Sequence, residues 1–132
     1  MKKITKYVAV FALLLVTAVS TVSAYNYKFS FDMNTGLFHG SVDSAYAYKV
    51  TANENPVLKI NHIESGATVK FYVVNSDAER RTNVITKKST YSGAFSNHTT
   101  SKGYKYKLRA QTDSGNFYNR YNVTGGWNID SY

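Results

Sequence analysis

Alternation with a period of two residues runs through most of the chain after residue 24 and limits its possible folds more than any other feature. In the segment YKYKLRAQ, residues 104–111, apolar side chains alternate with cations. The apolar parity comprises Tyr104, Tyr106, Leu108 and Ala110, and the cationic parity comprises Lys105, Lys107 and Arg109. Because successive side chains of a strand point to opposite faces, this pattern predicts a strand with one buried face. We expect Tyr106 and Leu108 to be buried with Trp127, and the cations to face solvent, since burying each would cost on the order of several kcal/mol.

Six other segments show the same alternation or a run of branched and aromatic residues. They are residues 25–31, 45–50, 57–63, 68–74, 82–88 and 118–129. In AYAYKV, residues 45–50, we expect the parity of Tyr46, Tyr48 and Val50 to face the core. A glycine-containing segment separates residues 57–63 from 68–74, which predicts that these two strands pair as a hairpin. The glycines at 125–126 predict a bulge or bend.

About seven short strands, a single proline and no helical pattern after the first 24 residues predict an all-β fold. We favour a single-domain antiparallel β-sandwich spanning residues 25–132. An up-and-down barrel is the alternative, because periodicity reports which face of a strand is buried and not how the strands connect. The sequence contains no internal repeat, linker or charge block that would indicate a second domain.

The first 24 residues have the three-part layout of a secretory signal peptide. Three lysines precede an apolar run at residues 8–19, and the small-residue segment STVSA follows it. Val22 and Ala24 occupy the third and first positions before a cleavage site, so we expect cleavage before Tyr25 and secretion of residues 25–132. An uncleaved membrane helix is the alternative, but a run of 12 residues is shorter than the roughly 20 needed to cross a bilayer.

Cleavage would leave a basic chain without cysteine. Three of the 16 Lys and Arg residues lie in the leader, so the mature chain carries 13 against 8 acids, a net charge of +5. Small exported animal proteins usually depend on disulfides, so their absence favours a bacterial, Gram-positive origin. The positive charge predicts an anionic partner outside the cell: a cell-wall polymer, a membrane surface or a surface protein. Nucleic acid is not expected, because export separates the protein from it.

Three groups of cations would form one positive face if the strands that carry them are neighbours. Aromatic residues are also abundant, with 11 Tyr, 6 Phe and one Trp in the mature chain, and tyrosine is common on surfaces that bind sugars, partners or membranes. The candidate binding residues are Arg80, Arg81, Lys87, Lys88, Lys105, Lys107, Arg109 and Tyr118. The alternative interpretation is a solvated surface that prevents pairing between sheet edges.

The sequence contains no recognisable catalytic or metal-binding pattern. His39, His62 and His98 lack the spacing of metal ligands, and motifs such as GxSxG and HExxH are absent. We therefore predict that the protein is not an enzyme and has no cofactor or metal. A polysaccharide hydrolase would need two carboxylates about 5–10 Å apart. Seven of the eight acids are expected in turns or at the chain end: Asp32, Asp43, Glu64, Asp77, Glu79, Asp113 and Asp130. The segment TDSGN, residues 112–116, lacks the ligand spacing of a calcium loop and is interpreted as a turn.

Most of residues 45–132 resembles a family of small secreted Gram-positive proteins known as a domain of unknown function. The resemblance lies in NENPVLKI, SGATVKFYVVNSDAERRTNVITKKSTYSG, YKYKLRAQ and YNVTGGWNIDSY. It is sharpest in the Asn-x-Asn-Pro turn at residues 53–56 and in the closing Gly-Trp-x-x-Asp at residues 126–130. It implies a leader followed by a Tyr-rich all-β domain, and it implies no catalytic residue. Val57 stands where that family often has an aromatic residue, and the segment before residue 45 matches poorly.

In size and composition the chain is also similar to the lactococcin-type bacteriocins, which are small, secreted, cysteine-free β-sandwiches rich in tyrosine. Our principal hypothesis is a secreted, non-enzymatic protein that acts at the cell envelope by binding a wall polymer or a surface partner. The likeness to bacteriocins implies the alternative, a secreted antimicrobial protein that harms neighbouring cells.

Overall fold

Two antiparallel β-sheets packed face to face form the protein in a computed structural model of the chain. The structure describes residues 29–35, 40–64, 67–114 and 120–131, apart from the side chains of residues 113 and 114. The predicted leader, residues 1–24, lies outside these ranges, as do His39 and Tyr118. None of the described residues belongs to a helix long and apolar enough to cross a membrane.

Nine strands occur within the described ranges. They are β1 (Phe29–Asn34), β2 (Ser41–Asp43), β3 (Ala47–Tyr48), β4 (Val57–Ile63), β5 (Thr68–Val74), β6 (Ile85–Lys87), β7 (Tyr91–Ala94), β8 (Lys105–Ser114) and β9 (Asn122–Asn128). The first sheet has the order β1-β9-β4-β7, and the second has the order β2-β8-β5-β6, with β3 also paired to β8. The predicted β-sandwich is confirmed. The strands exceed the predicted seven because β2 and β7 are short segments without apolar alternation.

The core lies between the two sheets and is built from the apolar parity of each strand. Tyr106, Leu108 and Trp127 are all buried, as the alternation predicts. The rings of Phe31 in the first sheet and Phe71 in the second lie 6.3 Å apart, centroid to centroid, and join the two layers. Burying one large apolar side chain contributes roughly 1.5–3 kcal/mol, so this shared layer accounts for much of the stability of the sandwich.

The predicted hairpin of β4 with β5 is wrong. β4 pairs with β7 and β9, whereas β5 pairs with β6 and β8, so these consecutive strands belong to opposite sheets. At the junction the N–H of Ala67 donates to the carbonyl of Glu64, and the N–H of Glu64 donates to the carbonyl of Asn122. A glycine between two strands indicates a change of direction, but it does not distinguish a hairpin from a crossover between sheets.

The predicted inner parity of residues 45–50 is also wrong. Ala47, opposite Tyr106 of β8, and Lys49 are each 1% exposed. The three residues expected in the core are at the surface: Tyr46, Tyr48 and Val50 are 37%, 65% and 50% exposed. The pattern fails here because the Lys49 ammonium is paired inside the protein with the carboxylate of Asp130.

The irregularity predicted at residues 125–126 occurs in the partner strand. The register of β4 against β9 shifts after Ile60, whereas β9 runs on opposite β1 without interruption. Gly125 is needed for a different reason. A Cβ atom at Gly125 would lie 2.0 Å from the carbonyl oxygen of Lys59 and 2.7 Å from Cζ of Phe31, so only glycine lets these strands approach so closely.

Candidate binding surface on the second sheet

The outer face of the second sheet collects cations and tyrosines from several neighbouring elements. The register places Tyr72 of β5 opposite Arg109 of β8, and Tyr48 of β3 opposite Lys105. Because alternate residues of a strand share a face, the cationic parity of β8 and the polar parity of β5 lie side by side. We call this surface the basic–aromatic face; its members are Tyr46, Tyr48, Lys70, Tyr72, Arg80, Lys105, Lys107 and Arg109.

Arg80 joins the face from a segment outside the named strands. It forms an isolated bridge with Val74, the last residue of β5. Together with Lys70 and Tyr72 it lines a shallow depression of about 680 Å³. This depression extends the positive surface beyond the cations of β8.

Asp43 adds a carboxylate to this face. It lies in β2, rather than in the expected turn, and opposite Arg109. Its two oxygens accept hydrogen bonds from Nε and a terminal nitrogen of Arg109, at 2.6 and 2.9 Å. These hydrogen bonds raise the pKa of Arg109 above its ordinary value. The Lys107 ammonium lies 4.0 Å from the same carboxylate, so this one acid contacts two cations of the face.

The ring of Tyr46 lies against two of these cations. The Nζ atoms of Lys105 and Lys107 are each 4.4 Å from its centroid. Such contacts at exposed sites contribute about 0.5–1 kcal/mol each and hold the flexible lysine side chains over the sheet. Tyr46 therefore organises the positive face, although its parity predicted a place in the core.

Four of the eight candidate binding residues lie on the basic–aromatic face: Arg80, Lys105, Lys107 and Arg109. Three others lie elsewhere, and the eighth is outside the described ranges. Arg81 forms an ion pair with Glu79 and lines a separate groove. Lys87 lies at the far edge of the sheet, with Nζ 4.4 Å from the ring centroid of Tyr91 in the first sheet, and Lys88 is exposed beyond it. The structure thus does not bring all the cations together.

Sequence reasoning missed Lys70 and Tyr72 as members of the face. The signal was present in TVKFYVV, because Val69, Phe71 and Val73 are its buried parity. Applying the period of two to this strand would have assigned Lys70 and Tyr72 to the outer surface. Whether they lie on the same outer surface as the cations of β8 depends on the pairing of β5 with β8, which the sequence does not reveal.

A groove of about 470 Å³ lies at one end of this face, where β5 ends and β8 begins. Its lining includes Asp77 and Arg81 on one side and Ser101 and Tyr104 on the other. Tyr104 is 67% exposed, although it was predicted to face the core with Tyr106. The buried parity of this strand begins at Tyr106 because Tyr104 still belongs to the preceding turn.

In the described part of the chain, no three or more His, Asp or Glu side chains converge in an arrangement that could hold a metal ion. His62 is exposed on β4. His98 has Nδ1 2.6 Å from the hydroxyl of Thr100 and Nε2 3.4 Å from the carbonyl of Asn53. These contacts give His98 a local structural role in holding its loop against the turn at residues 53–56.

No family model, curated protein or solved structure matches this chain. The two sharpest motifs of the sequence do, however, meet in space. The ammonium of Lys49 donates to the carbonyl of Glu54, in the turn at residues 53–56, at 2.7 Å. It also donates to the carbonyl of Ile129, at the chain end, at 3.0 Å. Lys49 thus joins the two motif segments by hydrogen bonds to their main chains.

Proposed function

We propose that the protein is a secreted, non-enzymatic component of the cell envelope that binds an anionic wall polymer through its basic–aromatic face. One observation carries the proposal: five cations lie together on one face of the second sheet. They are Lys70, Arg80, Lys105, Lys107 and Arg109, and the Asp43 carboxylate lies beside the last two. Such an excess of one charge attracts and concentrates an oppositely charged partner.

The shape and composition of the face support a polymer rather than a small anion. The cations of β8 follow one another at every second residue, so they match anionic groups that repeat along a chain. Tyr48, at 65% exposure, adds an amphipathic ring that can pack against the apolar parts of such a polymer. Because the cations are at the surface, the attraction weakens as salt shortens the screening length, which is about 10 Å at 0.1 M.

Sedimentation with purified bacterial cell walls tests this proposal. The mature chain, residues 25–132, should pellet with the walls at low salt and remain in solution at about 1 M salt, where the screening length falls to about 3 Å. A triple variant Lys70→Gln, Arg80→Gln, Lys107→Gln should bind at least about tenfold more weakly at low salt, because it removes three contacts with the polymer.

A matched triple variant away from the face controls for net charge: Lys59→Gln, Lys88→Gln, Arg120→Gln. These residues are exposed and lie outside the basic–aromatic face. We expect this variant to bind within about twofold of the natural chain, since it retains the face. Equal losses of wall binding in the two triple variants would show that binding depends on net charge alone and would contradict a specific face. An absence of binding at every salt concentration would contradict the proposal itself.

A further inference from the structure

The groove at the end of the second sheet differs in chemistry from the basic–aromatic face. Hydroxyl groups of Ser76, Thr99 and Ser101 line it together with the carboxylate of Asp77. Two cations also line the groove, and each has a partner. Arg81 is paired with Glu79, and the Nζ atom of Lys105, a member of the basic–aromatic face, lies 4.4 Å from the ring centroid of Tyr46. The lining is therefore rich in groups that donate and accept hydrogen bonds to a neutral polar ligand.

Hydrogen bonds donated by main-chain N–H groups hold Asp77 and Ser101 in place. In the turn after β5, the Oδ1 atom of Asn75 accepts hydrogen bonds from the backbone N–H groups of Asp77 and Glu79, at 3.0 and 2.9 Å. On the opposite side, the N–H of Ser101 donates to the hydroxyl of Tyr106 at 2.7 Å. Asp77 and Ser101 thus make these hydrogen bonds with their main-chain N–H groups. The Asp77 carboxylate and the Ser101 hydroxyl are left available to a ligand.

Tyr104 provides an exposed aromatic surface beside these groups. Its carbonyl accepts a hydrogen bond from the N–H of Lys49 at 3.0 Å, and the N–H of Gly103 donates to the carbonyl of Lys49 at 2.8 Å. Gly103 has a φ of +88°, a conformation that glycine adopts without strain. The backbone around Tyr104 is therefore held in place while its ring is 67% exposed, so little ordering is needed when a ligand binds.

We propose that this groove is a carbohydrate-binding subsite that takes one neutral pyranose unit of a glycan. The C–H face of a pyranose ring packs against an aromatic ring such as that of Tyr104. The ligand hydroxyls donate to Asp77 and exchange hydrogen bonds with Thr99 and Ser101. A volume of about 470 Å³ falls within the range of small-molecule sites, which is about 300–1,000 Å³.

The lining argues against the other ligand classes. An anion would lie beside the Asp77 carboxylate and would have to compete with Glu79 for Arg81 and with the ring of Tyr46 for Lys105. An apolar peptide side chain would find hydroxyl groups where it needs apolar contacts. The proposal goes beyond the binding of an anionic polymer because it requires no charge on the ligand. Binding of a neutral sugar in the groove should accordingly persist at salt concentrations that abolish binding of an anionic polymer to the basic–aromatic face.

Backbone amide NMR during titration with neutral oligosaccharides tests the subsite. The probes are tetramers of glucose, of mannose and of N-acetylglucosamine, added to the mature chain at about 1 M salt, where attraction between exposed charges is screened. We expect saturable shifts of the amide signals of Asp77, Ser101 and Tyr104 with at least one probe. Failure of all three tetramers to shift these signals would overturn the proposal.

Two variants remove the proposed contacts while leaving the core intact. Tyr104→Ala removes the platform, and Asp77→Asn replaces one acceptor oxygen of the carboxylate by an NH2 donor and removes its charge. Each should weaken sugar binding at least about fivefold, a typical loss for one well-placed contact. The matched controls Tyr48→Ala and Asp32→Asn change an exposed tyrosine and an exposed acid elsewhere and should leave sugar binding unchanged. If Tyr48→Ala were as damaging as Tyr104→Ala, the sugar would lie on the basic–aromatic face and the subsite would be refuted.

The failures of the two proposals are distinguishable. Tyr104→Ala should retain salt-sensitive binding to cell walls, whereas the triple variant Lys70→Gln, Arg80→Gln, Lys107→Gln should retain the binding of neutral sugar. None of these three cations belongs to the lining of the groove. Loss of sugar binding in the triple variant would contradict the independence of the two sites.

Discussion

The Nζ atom of Lys49 lies 3.2 Å from Oδ1 of Asp130, although the two residues are 81 positions apart and both side chains are almost completely buried. Taking two charges out of water is costly unless their remaining hydrogen-bonding capacity is used. The ammonium also donates to the carbonyls of Glu54 and Ile129, so its three protons all have acceptors. The pair therefore fixes the end of the chain to the segment between β3 and β4.

The carboxylate side of the pair is equally well satisfied. Asp130 accepts hydrogen bonds from the backbone N–H groups of Val50 and Thr51, and from the hydroxyl of Thr51. Burial raises the pKa of Asp130, but the hydrogen bonds from Thr51, Val50 and Lys49 outweigh burial and hold this pKa below its usual range. Asp130 is thus ionised in the folded protein at neutral pH.

Replacing Lys49 by Met should lower the free energy of unfolding by about 3–5 kcal/mol, because it leaves the Asp130 carboxylate buried without its cation. Urea denaturation followed by the fluorescence of Trp127, the single tryptophan, measures the change. Lys102→Met is the matched control, since Lys102 is exposed in a turn, and it should change stability by less than about 0.5 kcal/mol.

The double variant Lys49→Met, Asp130→Leu extends this test. Because it removes both charges, it should be more stable than Lys49→Met alone. Equal stability of the variants at Lys49 and Lys102 would show that the buried pair does not hold the chain end.

Acid should destabilise the protein through Asp130. The pKa of this carboxyl is lower in the folded state than the value of about 3.9 in an unfolded chain, so the unfolded chain takes up the proton first. The contribution of the ionised Asp130 carboxylate to the free energy of unfolding is fully present above about pH 4. It is lost as the pH falls through the pKa of Asp130 in the folded state. Urea denaturation at a series of pH values should show a shallower decline for Asp130→Asn than for the natural chain, and parallel declines would refute the assignment.

The same residues show how far the sequence determines the fold. For β8 the period of two gives the correct inner residues, Tyr106 and Leu108, because each cation of that strand can remain on the surface. For the segment around β3 the same rule gives the inverse of the true parity, since Lys49 has a buried partner at the other end of the chain. Periodicity assumes that charges stay in water, and a long-range ion pair violates that assumption without leaving a local signal.

The candidate site was predictable to a similar extent. The cations of β8 were assigned to an outer face from their own alternation, but the neighbours of that strand depend on sheet order. Lys70 belongs to the face because β5 pairs with β8. Lys87 lies outside it because Lys87 is opposite the buried Val69 of β5, and opposite residues lie on the same side of a sheet. Such pairings are set by contacts between strands distant in the chain, which is why grouping the cations by sequence alone was only half successful.

Gly125→Ala should destabilise the sandwich by about 2–3 kcal/mol or more, because the new methyl group would overlap the backbone of Lys59 and the ring of Phe31. Gly103→Asn is the control, since no atom lies within 4 Å of a Cβ there and Asn tolerates a positive φ. It should cost about 1 kcal/mol or less. Thermal denaturation compares the two variants, and equal melting temperatures would contradict the close approach at Gly125.

Neighbouring residues of β8 should differ sharply in their effect on stability. Leu108→Ala opens a cavity between the sheets and should cost about 2–5 kcal/mol. Lys107→Ala alters only the outer face, where its side chain is 28% exposed, and should cost less than about 1 kcal/mol. Urea denaturation measures both variants. Similar losses would contradict the alternation of faces that positions the basic–aromatic face.

Asp43→Asn should strengthen binding to anionic cell walls, which distinguishes an electrostatic face from one in which Asp43 contacts the ligand. The Asp43 carboxylate now neutralises part of the charge of Arg109 and Lys107, so its removal leaves the face more positive. The loss of the paired hydrogen bonds to Arg109 should lower the free energy of unfolding by about 1 kcal/mol.

Asp32→Asn removes the same charge from the exposed side of β1 in the first sheet and is the matched control for that variant. Sedimentation with purified walls at low salt should give an affinity at least about twofold higher for Asp43→Asn than for Asp32→Asn, and the difference should vanish at about 1 M salt because screening removes it. Weaker binding by Asp43→Asn would mean that the polymer needs the ordered Arg109–Asp43 pair and not the net positive charge, which would contradict the electrostatic basis of the proposed function.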